Sequence, residues 1–241
     1  MVGLGTVINT AAILLGGLCG ALFGRLLKES AQDTLTKVCG VSTLFIAVSG
    51  AMEGMLSLEN GSLSSGGGLL IIGCLAIGGV IGELLNIEGA FERFGQWLKL
   101  KTGNAKDREF VNAFVTASLT VCIGAMAIVG SIQDGLTGDY SILATKAVLD
   151  LIIIMVMSSS MGRGAVFSAI PVAVLQGTMT ALAGLLRPVM TEAALNNLSL
   201  VGNVLIFCVG VNLVWGKKIR VANLLPALVL AIAIAFLPFD F

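Results

Sequence analysis

The residue types that can do chemistry crowd into one stretch of the chain. Gly130-Ser131-Ile132-Gln133-Asp134-Gly135-Leu136-Thr137-Gly138-Asp139 brings two carboxylates, an amide, hydroxyls and helix-breaking glycines to the edge of a long apolar segment, and Lys146 and Asp150 follow within it. Lys146 and Asp150 are spaced i, i+4 and share a helix face. An unpaired charge at the centre of a membrane helix costs roughly 2.5 to 3.5 kcal/mol on the insertion scale, so an ionisable residue there is a functional candidate by default. The competing reading is a purely structural Lys146 to Asp150 ion pair. Asp134 falls at the C-terminal end of its apolar segment, against the negative end of the helix dipole. That placement demands a compensating partner, for which Lys146 or a proton is the expectation.

Other polar residues stand alone in apolar surroundings. Thr6, Asn9 and Thr10 share one face of the first apolar segment, where they either line a polar path or hydrogen-bond a neighbouring helix. Gln176 sits at mid-depth of another segment and can face the same cavity. Glu53, just ahead of Gly54, repeats the carboxylate-glycine pattern of Asp134, and a plain polar helix end suits it better. Ser159 and Arg163 belong to the Ser158-Ser159-Ser160-Met161-Gly162-Arg163-Gly164 break, which is either a tight turn or a place where hydroxyls and backbone meet an ion, with Arg163 as an anion partner. The candidate ion- or substrate-binding set is therefore Asp134, Asp150, Lys146, Gln133, Ser131, Gln176, Asn9, Glu53, Ser159 and Arg163.

The elements that must hold these residues follow from composition. With 56% hydrophobic and 12% charged residues, the chain departs from the soluble balance of about 25% charged and reads as a single integral membrane domain over 1–241. Windows of about 19 residues give eight spans, near 4–24, 38–56, 68–87, 110–131, 142–160, 165–186, 199–216 and 221–239. Twelve of the fourteen Lys and Arg fall in the odd-numbered connections, leaving Lys146 and Arg187 on the other side. The positive-inside rule then places both termini outside. The first apolar segment begins at residue 2 with no preceding cation and no small-residue cleavage site, so no removable signal peptide is expected. Between Ile87 and Glu109, Ile87, Phe91, Phe94, Trp97 and Leu98 recur at helical spacing beside charges, which marks either a surface-lying amphipathic helix or an ordinary connector.

Leu15, Gly17, Ala21, Leu22, Gly24 and Leu26 match Leu175, Gly177, Ala181, Leu182, Gly184 and Leu186. Weaker likenesses join Gly40 and Phe45 to Gly202 and Phe207, and Leu75-Ala76-Ile77 to Leu230-Ala231-Ile232. Spans 1–3 thus resemble spans 6–8, with repeat-like halves 1–87 and 165–241 around intervening helices 110–160. An offset of five spans would make the repeat inverted, as in many secondary transporters; chance matching among common Gly, Ala and Leu is the rival account. The fold expected is all-α, a polytopic bundle of about eight membrane helices. GxxxG steps at Gly16, Gly20, Gly24 and at Gly78, Gly82 predict close helix packing, inside the protomer or in a homo-oligomer such as a dimer.

Several chemistries are excluded. The chain has no histidine, and Cys19, Cys39, Cys74, Cys122 and Cys208 lie singly in apolar segments, so neither a zinc site nor a histidine-based triad is available and no metal or cofactor is expected. No basic run exceeds Lys217-Lys218, which argues against nucleic acid. No nucleophile-base pair or phosphate loop is visible, so an enzyme is not expected.

At GSIQDGLTGD, followed by Lys146, Leu149-Asp150, Phe167-Ser168-Ala169-Ile170-Pro171-Val172 and Gln176-Gly177, and with Gly5-Thr6 and Asn9 at the start, the chain resembles the YqgA/YdfK-like family of bacterial integral membrane proteins of unknown function. The resemblance implies a bacterial plasma (inner) membrane location and brings no binding assignment with it. The function expected from the residues is a secondary transporter or ion-coupled permease for a small solute, a monovalent cation or protons. An ion channel and a non-transporting scaffold or regulatory subunit are the alternatives.

Overall fold

The computed structural model describes residues 2–24, 26–59, 61–123 and 125–236. The helices are α1 (Leu4–Gly24), α2 (Glu29–Met55), α3 (Gly68–Leu85), α4 (Ile87–Lys101), α5 (Phe110–Cys122), α6 (Ala125–Thr137), α7 (Ser141–Met161), α8 (Ala169–Ala181), α9 (Ala183–Leu186), α10 (Glu192–Trp215) and α11 (Pro226–Ile234). Short 3-10 turns at Arg163–Ser168 and Val221–Leu224 precede α8 and α11. The architecture is all-α and polytopic. Among the described residues, six segments are long and apolar enough to cross a membrane: α1, α2, α3, α7, the run Arg163–Ala181, and α10. A seventh exists only as the pair α5 and α6, bent by 61°, and Val221–Ile234 is a shorter apolar helix. Val7, Leu22, Phe45, Ile72, Val80, Val148 and Val174 stand exposed, as expected of side chains that face lipid tails.

The chain departs from the expected eight hydropathy spans in three places, the first being the eighth span, 221–239, which holds only the short α11 and whose last residues lie outside the described ones. The segment 110–131 is one apolar run in sequence, yet helix α5 stops at Cys122 and α6 starts at Ala125. Ile123 is extended, at φ −80 and ψ 120, with its N–H donated back to the Leu119 carbonyl; hydropathy counts apolarity and is blind to such a break. Between α2 and α3 the chain forms an antiparallel hairpin, β1 (Leu56–Glu59) on β2 (Ser62–Ser65), pairing Leu56 with Ser65 and Leu58 with Leu63.

Two glycine faces are used inside the protomer. Gly16, Gly20 and Gly24 of α1 lie against the carbonyls of Leu151, Met155 and Ser159 on α7, so the two helices run parallel with their backbones in contact. Ser158 Oγ completes the seam by donating to the Gly17 carbonyl at 2.8 Å. Gly78 and Gly82 of α3 face the backbone of Ala227 and Asn223. In lipid there is no hydrophobic force between helices, so this close approach supplies the packing that holds them. α1 packs on α8, α2 on α10 and α3 on α11, each pair antiparallel. The directions follow from Thr6 meeting Thr180 while Gly17 meets Val166, from Gly40 meeting Leu213 while Gly50 meets Asn203, and from Gly78 meeting Ala227 while Gly82 meets Asn223.

Helix α4 has two sides. Glu88, Gly95 and Leu98 are buried, with Phe94 tilted against Phe114 of α5 at a ring separation of 5.8 Å, while Trp97 and Leu100 point outward. It is a connector docked on α5 that also presents an apolar edge. Asn86 joins α3 to α4 in the left-handed region at φ 48 and accepts from the Gly89 N–H through its side chain.

A side chain at Gly20 would land on the Met155 carbonyl, whereas one at Gly73 would meet nothing. Gly20→Leu is expected to destabilise by at least about 2 kcal/mol, the scale of overpacking a tight interface, and Gly73→Ala to be neutral or mildly stabilising. Thermal unfolding in detergent separates the two; equal melting temperatures would show that the α1 seam is not a packing constraint.

Candidate functional site

The site assembles at the level where α5 gives way to α6. Lys146 Nζ on α7 is 2.8 Å from Asp150 Oδ1, with the side chains 10% and 3% exposed. Asn9 of α1 donates from Nδ2 to Asp150 Oδ2 at 3.0 Å. Each Asp150 oxygen thus has its own donor, as a buried carboxylate requires. Gly130 of α6 abuts Leu143 of α7, and these helices are antiparallel neighbours. One turn deeper on each lie Ala127 and Lys146, so the lysine faces the first turn of α6. The Cys122 thiol, at the last residue of α5, interacts electrostatically with both Lys146 and Asp150.

Gln176 closes the site from α8. It shares a face with Thr180, whose hydroxyl is 3.5 Å from that of Thr6 on α1. Stepping one turn inward on both antiparallel helices brings Gln176 to the level of Asn9. Gln176 and Asn9 are each fully buried. Both side-chain amide atoms of Gln176, and Oδ1 of Asn9, have no hydrogen-bond partner among the described residues. Buried polar atoms are nearly always paired, so the unpaired Asn9 Oδ1 beside the ion pair, with the unpaired Gln176 amide at the level of Asn9, marks a place built for something besides packing.

Asp134 has a different position. Its Oδ1 and Oδ2 accept the N–H groups of Gly3 at 3.2 Å and Gly5 at 3.0 Å, and the residue is fully buried. The compensation expected for a carboxylate at the end of α6 comes from the positive N-terminus of α1 rather than from Lys146. Asp134 therefore ties the start of α1 to the end of α6, a step away from the Lys146 to Asp150 pair. Ser131 is buried and donates to the Ala127 carbonyl at 2.6 Å. Gln133 points outward, donates to Asp139 Oδ2 at 2.6 Å, and lines a surface cavity of about 350 Å³ with Arg187. Glu53 and Arg163 are exposed, and Ser159 turns its hydroxyl back to the Val156 carbonyl at 2.8 Å. Of the ten candidates, the structure brings Asn9, Lys146 and Asp150 into contact and sets Gln176 at the level of Asn9, with Ser131 and Asp134 nearby, and it separates Gln133, Glu53, Ser159 and Arg163.

A cleft that sequence reasoning did not foresee leads toward this centre. About 510 Å³ in volume, it opens on the face bearing α4, and Glu109, Asn112, Thr116 and Leu119 line it along α5, with Val209 and Met161 among its apolar lining. Leu119 is one turn before Cys122. The i, i+3, i+7 spacing of Glu109, Asn112 and Thr116 was the available signal, and Asn112 Nδ2 donates to Glu109 Oε2 at 3.2 Å. At the mouth, Lys217 Nζ reaches buried Glu88 at 2.6 Å and also pairs with Glu92. Glu88 in turn accepts the Ala222 N–H at 3.2 Å and donates its own N–H to Asn223 Oδ1 at 2.7 Å. Partial burial works against the Lys217 ammonium, but hydrogen bonds and charge from Glu88 and Glu92 outweigh it and raise its pKa above the ordinary lysine value.

A multi-pass helical body with a charged pair enclosed at a broken helix defines a polytopic α-helical membrane protein with an internal polar centre. The chain belongs to the family described as Protein of unknown function (DUF554), whose model matches residues 4–236. It is 28% identical over 232 residues to the uncharacterized membrane protein YdfK of Bacillus subtilis (strain 168), covering 96% of this chain and 95% of that one. It is also 28% identical over 236 residues to the uncharacterized protein YqgA of Escherichia coli (strain K12), covering 96% of each. No solved structure matches the chain.

Two predictions test these assignments. Asp134→Ala strips two amides of their acceptor at the start of α1 and is expected to cost about 1 to 3 kcal/mol, with Asp134→Asn costing less; unchanged unfolding of Asp134→Ala would show that the cap is not stabilising. Because the folded-state pKa of Lys217 is raised, its contribution is complete below the ordinary lysine range and is lost as pH climbs through the raised value. The melting difference between wild type and Lys217→Met should therefore hold from about pH 7 to about pH 9 and shrink only in stronger alkali. A difference already vanishing near neutrality would contradict the clip.

Proposed function

We propose that the protein is a secondary transporter of the plasma membrane that moves a small ion or solute through the centre formed by Asn9, Lys146, Asp150 and Gln176. The observation that carries this reading is the enclosed Lys146 to Asp150 pair beside unpartnered amide groups, at the point where the crossing made by α5 and α6 is interrupted. Interrupted membrane helices expose backbone groups where neither lipid nor a continuous helix can use them, and transporters place substrates there. The cleft from the α4 face supports the reading as the open access route, with Asp134 and the α1 N-terminus closing the other side.

The packing also favours an inverted repeat. Spans 1, 2 and 3 each lie antiparallel against the span that their sequence resembles, α1 on α8, α2 on α10 and α3 on α11, which is how two oppositely oriented copies meet across a two-fold axis in the membrane plane. With the basic α4 face cytoplasmic, both termini lie outside.

The test is reconstitution into liposomes and current recording on a solid-supported membrane, with sodium, potassium, phosphate and a set of amino acids applied in turn. Wild type should give a saturable, protein-dependent current for at least one of them. Asp150→Asn, matched for folded yield by size-exclusion chromatography, should lower it at least about tenfold. An undiminished current in the variant would remove this centre from the transport path.

A further inference from the structure

The face of α6 that turns away from the polar centre makes a site of its own. Ser131 and Asp134 are fully buried on one side of that helix. Val129, Ile132, Gln133, Leu136 and Thr137, spaced i, i+3, i+4, i+7 and i+8, form the opposite stripe. That stripe lines the surface cavity of about 350 Å³ together with Arg187, Met190 and Leu195, from the connection between α9 and α10 and the first turn of α10. The GSIQDG stretch therefore serves two places at once, and Gln133, which the polar centre does not use, belongs to this one.

The lining selects the occupant. Five of the eight lining residues are apolar, so the body of a ligand there must be apolar too. Ligand cavities run from about 300 to 1,000 Å³ and carry a few polar groups that fix orientation; one near the lower end has room for a single hydrocarbon chain and a small head. Two of the polar lining groups are already engaged. Thr137 Oγ1 donates to the Gln133 carbonyl at 2.8 Å and accepts the Asp139 N–H at 3.3 Å, and Gln133 Nε2 donates to Asp139 Oδ2 at 2.6 Å. Arg187 is different: it is exposed, and among the described residues no carboxylate pairs with it. The acidic residues closest in the chain leave it free, since Asp139 is held by Gln133 and by the Ser141 N–H at 3.0 Å, and Glu192 is exposed at the start of α10. A guanidinium with free donors beside an apolar cavity matches a planar monoanion, which its fork can bind through two parallel hydrogen bonds.

Arg187 also runs against the charge pattern of the chain. Twelve of the fourteen Lys and Arg fall in the odd-numbered connections, and of the other two Lys146 is buried against Asp150. The rule that gathers basic residues on one side gives Arg187 no reason to be on the other, so a local reason is needed, and an anion in the cavity supplies one. We propose that this cavity binds an ionised single-chain fatty acid, with the chain against Val129, Ile132, Leu136 and Met190 and the carboxylate on Arg187. The site goes beyond the transporter reading and does not rest on it. A chain held there would join the C-terminal half of α6 to the segment leading into α10, and so brace the end of the molecule that Asp134 closes.

The experiment uses full-length protein in phosphatidylcholine nanodiscs, which keep detergent tails out of the cavity, and radiolabelled decanoate at a pH where it is ionised. Binding above that of empty nanodiscs should saturate at one decanoate per protein and raise the melting temperature. Arg187→Met, on the surface and matched to wild type by size-exclusion chromatography, should weaken decanoate at least about tenfold, the scale of a lost charge-assisted pair. The uncharged chain 1-decanol should bind wild type and Arg187→Met equally, and Arg187→Lys should retain part of the preference for decanoate. Leu136→Trp should fill the cavity and exclude both ligands. Decanoate that does not saturate above empty nanodiscs, or that binds Arg187→Met as tightly as wild type, would overturn the proposal. Displacement of decanoate by phosphatidylglycerol built into the nanodisc would make a phospholipid the occupant and sink the free-acid reading.

Discussion

A carboxylate and an ammonium enclosed together within a bundle of apolar helices set the terms for the rest of this structure. Burying either charge alone is prohibitive, and even the pair pays a desolvation cost that its mutual attraction only partly recovers. The i, i+4 spacing on α7 places Lys146 within reach of Asp150 without distorting the helix. Asn9 must then arrive from α1 to occupy the second carboxylate oxygen. Such an approach needs α1 and α7 nearly in backbone contact, which Gly16, Gly20 and Gly24 permit. The glycine ladder and the polar centre are therefore one design: the first sets the helix separation, and the second requires it.

The same logic separates two carboxylates that look alike in sequence. Asp134 and Asp150 are both buried, but Asp134 is answered by two backbone amides at a helix N-terminus, a fixed and complete partnership. Asp150 is answered by a lysine and by one half of an asparagine amide whose other half has no partner among the described residues. A satisfied carboxylate rigidifies its surroundings, whereas an ion pair beside an unpaired amide oxygen keeps room for a further partner. The incompletely partnered element sits at α7, and the complete one closes the far end of α1.

What the sequence made legible divides along physical lines. The all-α membrane class, the i, i+4 pair and the polar character of Asn9 and Gln176 follow from residue type and periodicity, and they hold in three dimensions. The break after Cys122 does not follow, because the apolar run 110–131 satisfies a hydropathy window whether or not the helix is continuous. The hairpin was signalled by Asn60-Gly61 between alternating leucine and polar positions, a cue too short for a span-length window. Asp134 was picked out by its charge, but its partner lies at Gly3 and Gly5, some 130 residues away in sequence, and only tertiary packing reveals it. Cleft-lining Asn112 was signalled only by its helical spacing with Glu109 and Thr116, and Asn212 of α10 is bound to the Ile219 carbonyl beyond the end of its helix, a contact that residue type alone does not announce.

The two faces of the molecule are unequal in a way that stems from helix ends. On the face opposite α4, the α1 N-terminus and the α6 C-terminus are locked through Asp134, and opening there would strand two amides and a buried charge at once. On the α4 face, α5 meets water along a polar edge of Glu109, Asn112 and Thr116, and the Glu88 to Lys217 clip holds the cleft mouth without filling it. Between the centre and that cleft stands roughly one turn of α5, from Leu119 to Cys122. A short apolar plug is far easier to displace than a network of capped helix ends, so the α4 side is the easier of the two to open. Any movement that opened the other side would have to find new partners for Gly3, Gly5 and Asp134 at once, because the two amides and the carboxylate satisfy one another in the closed arrangement.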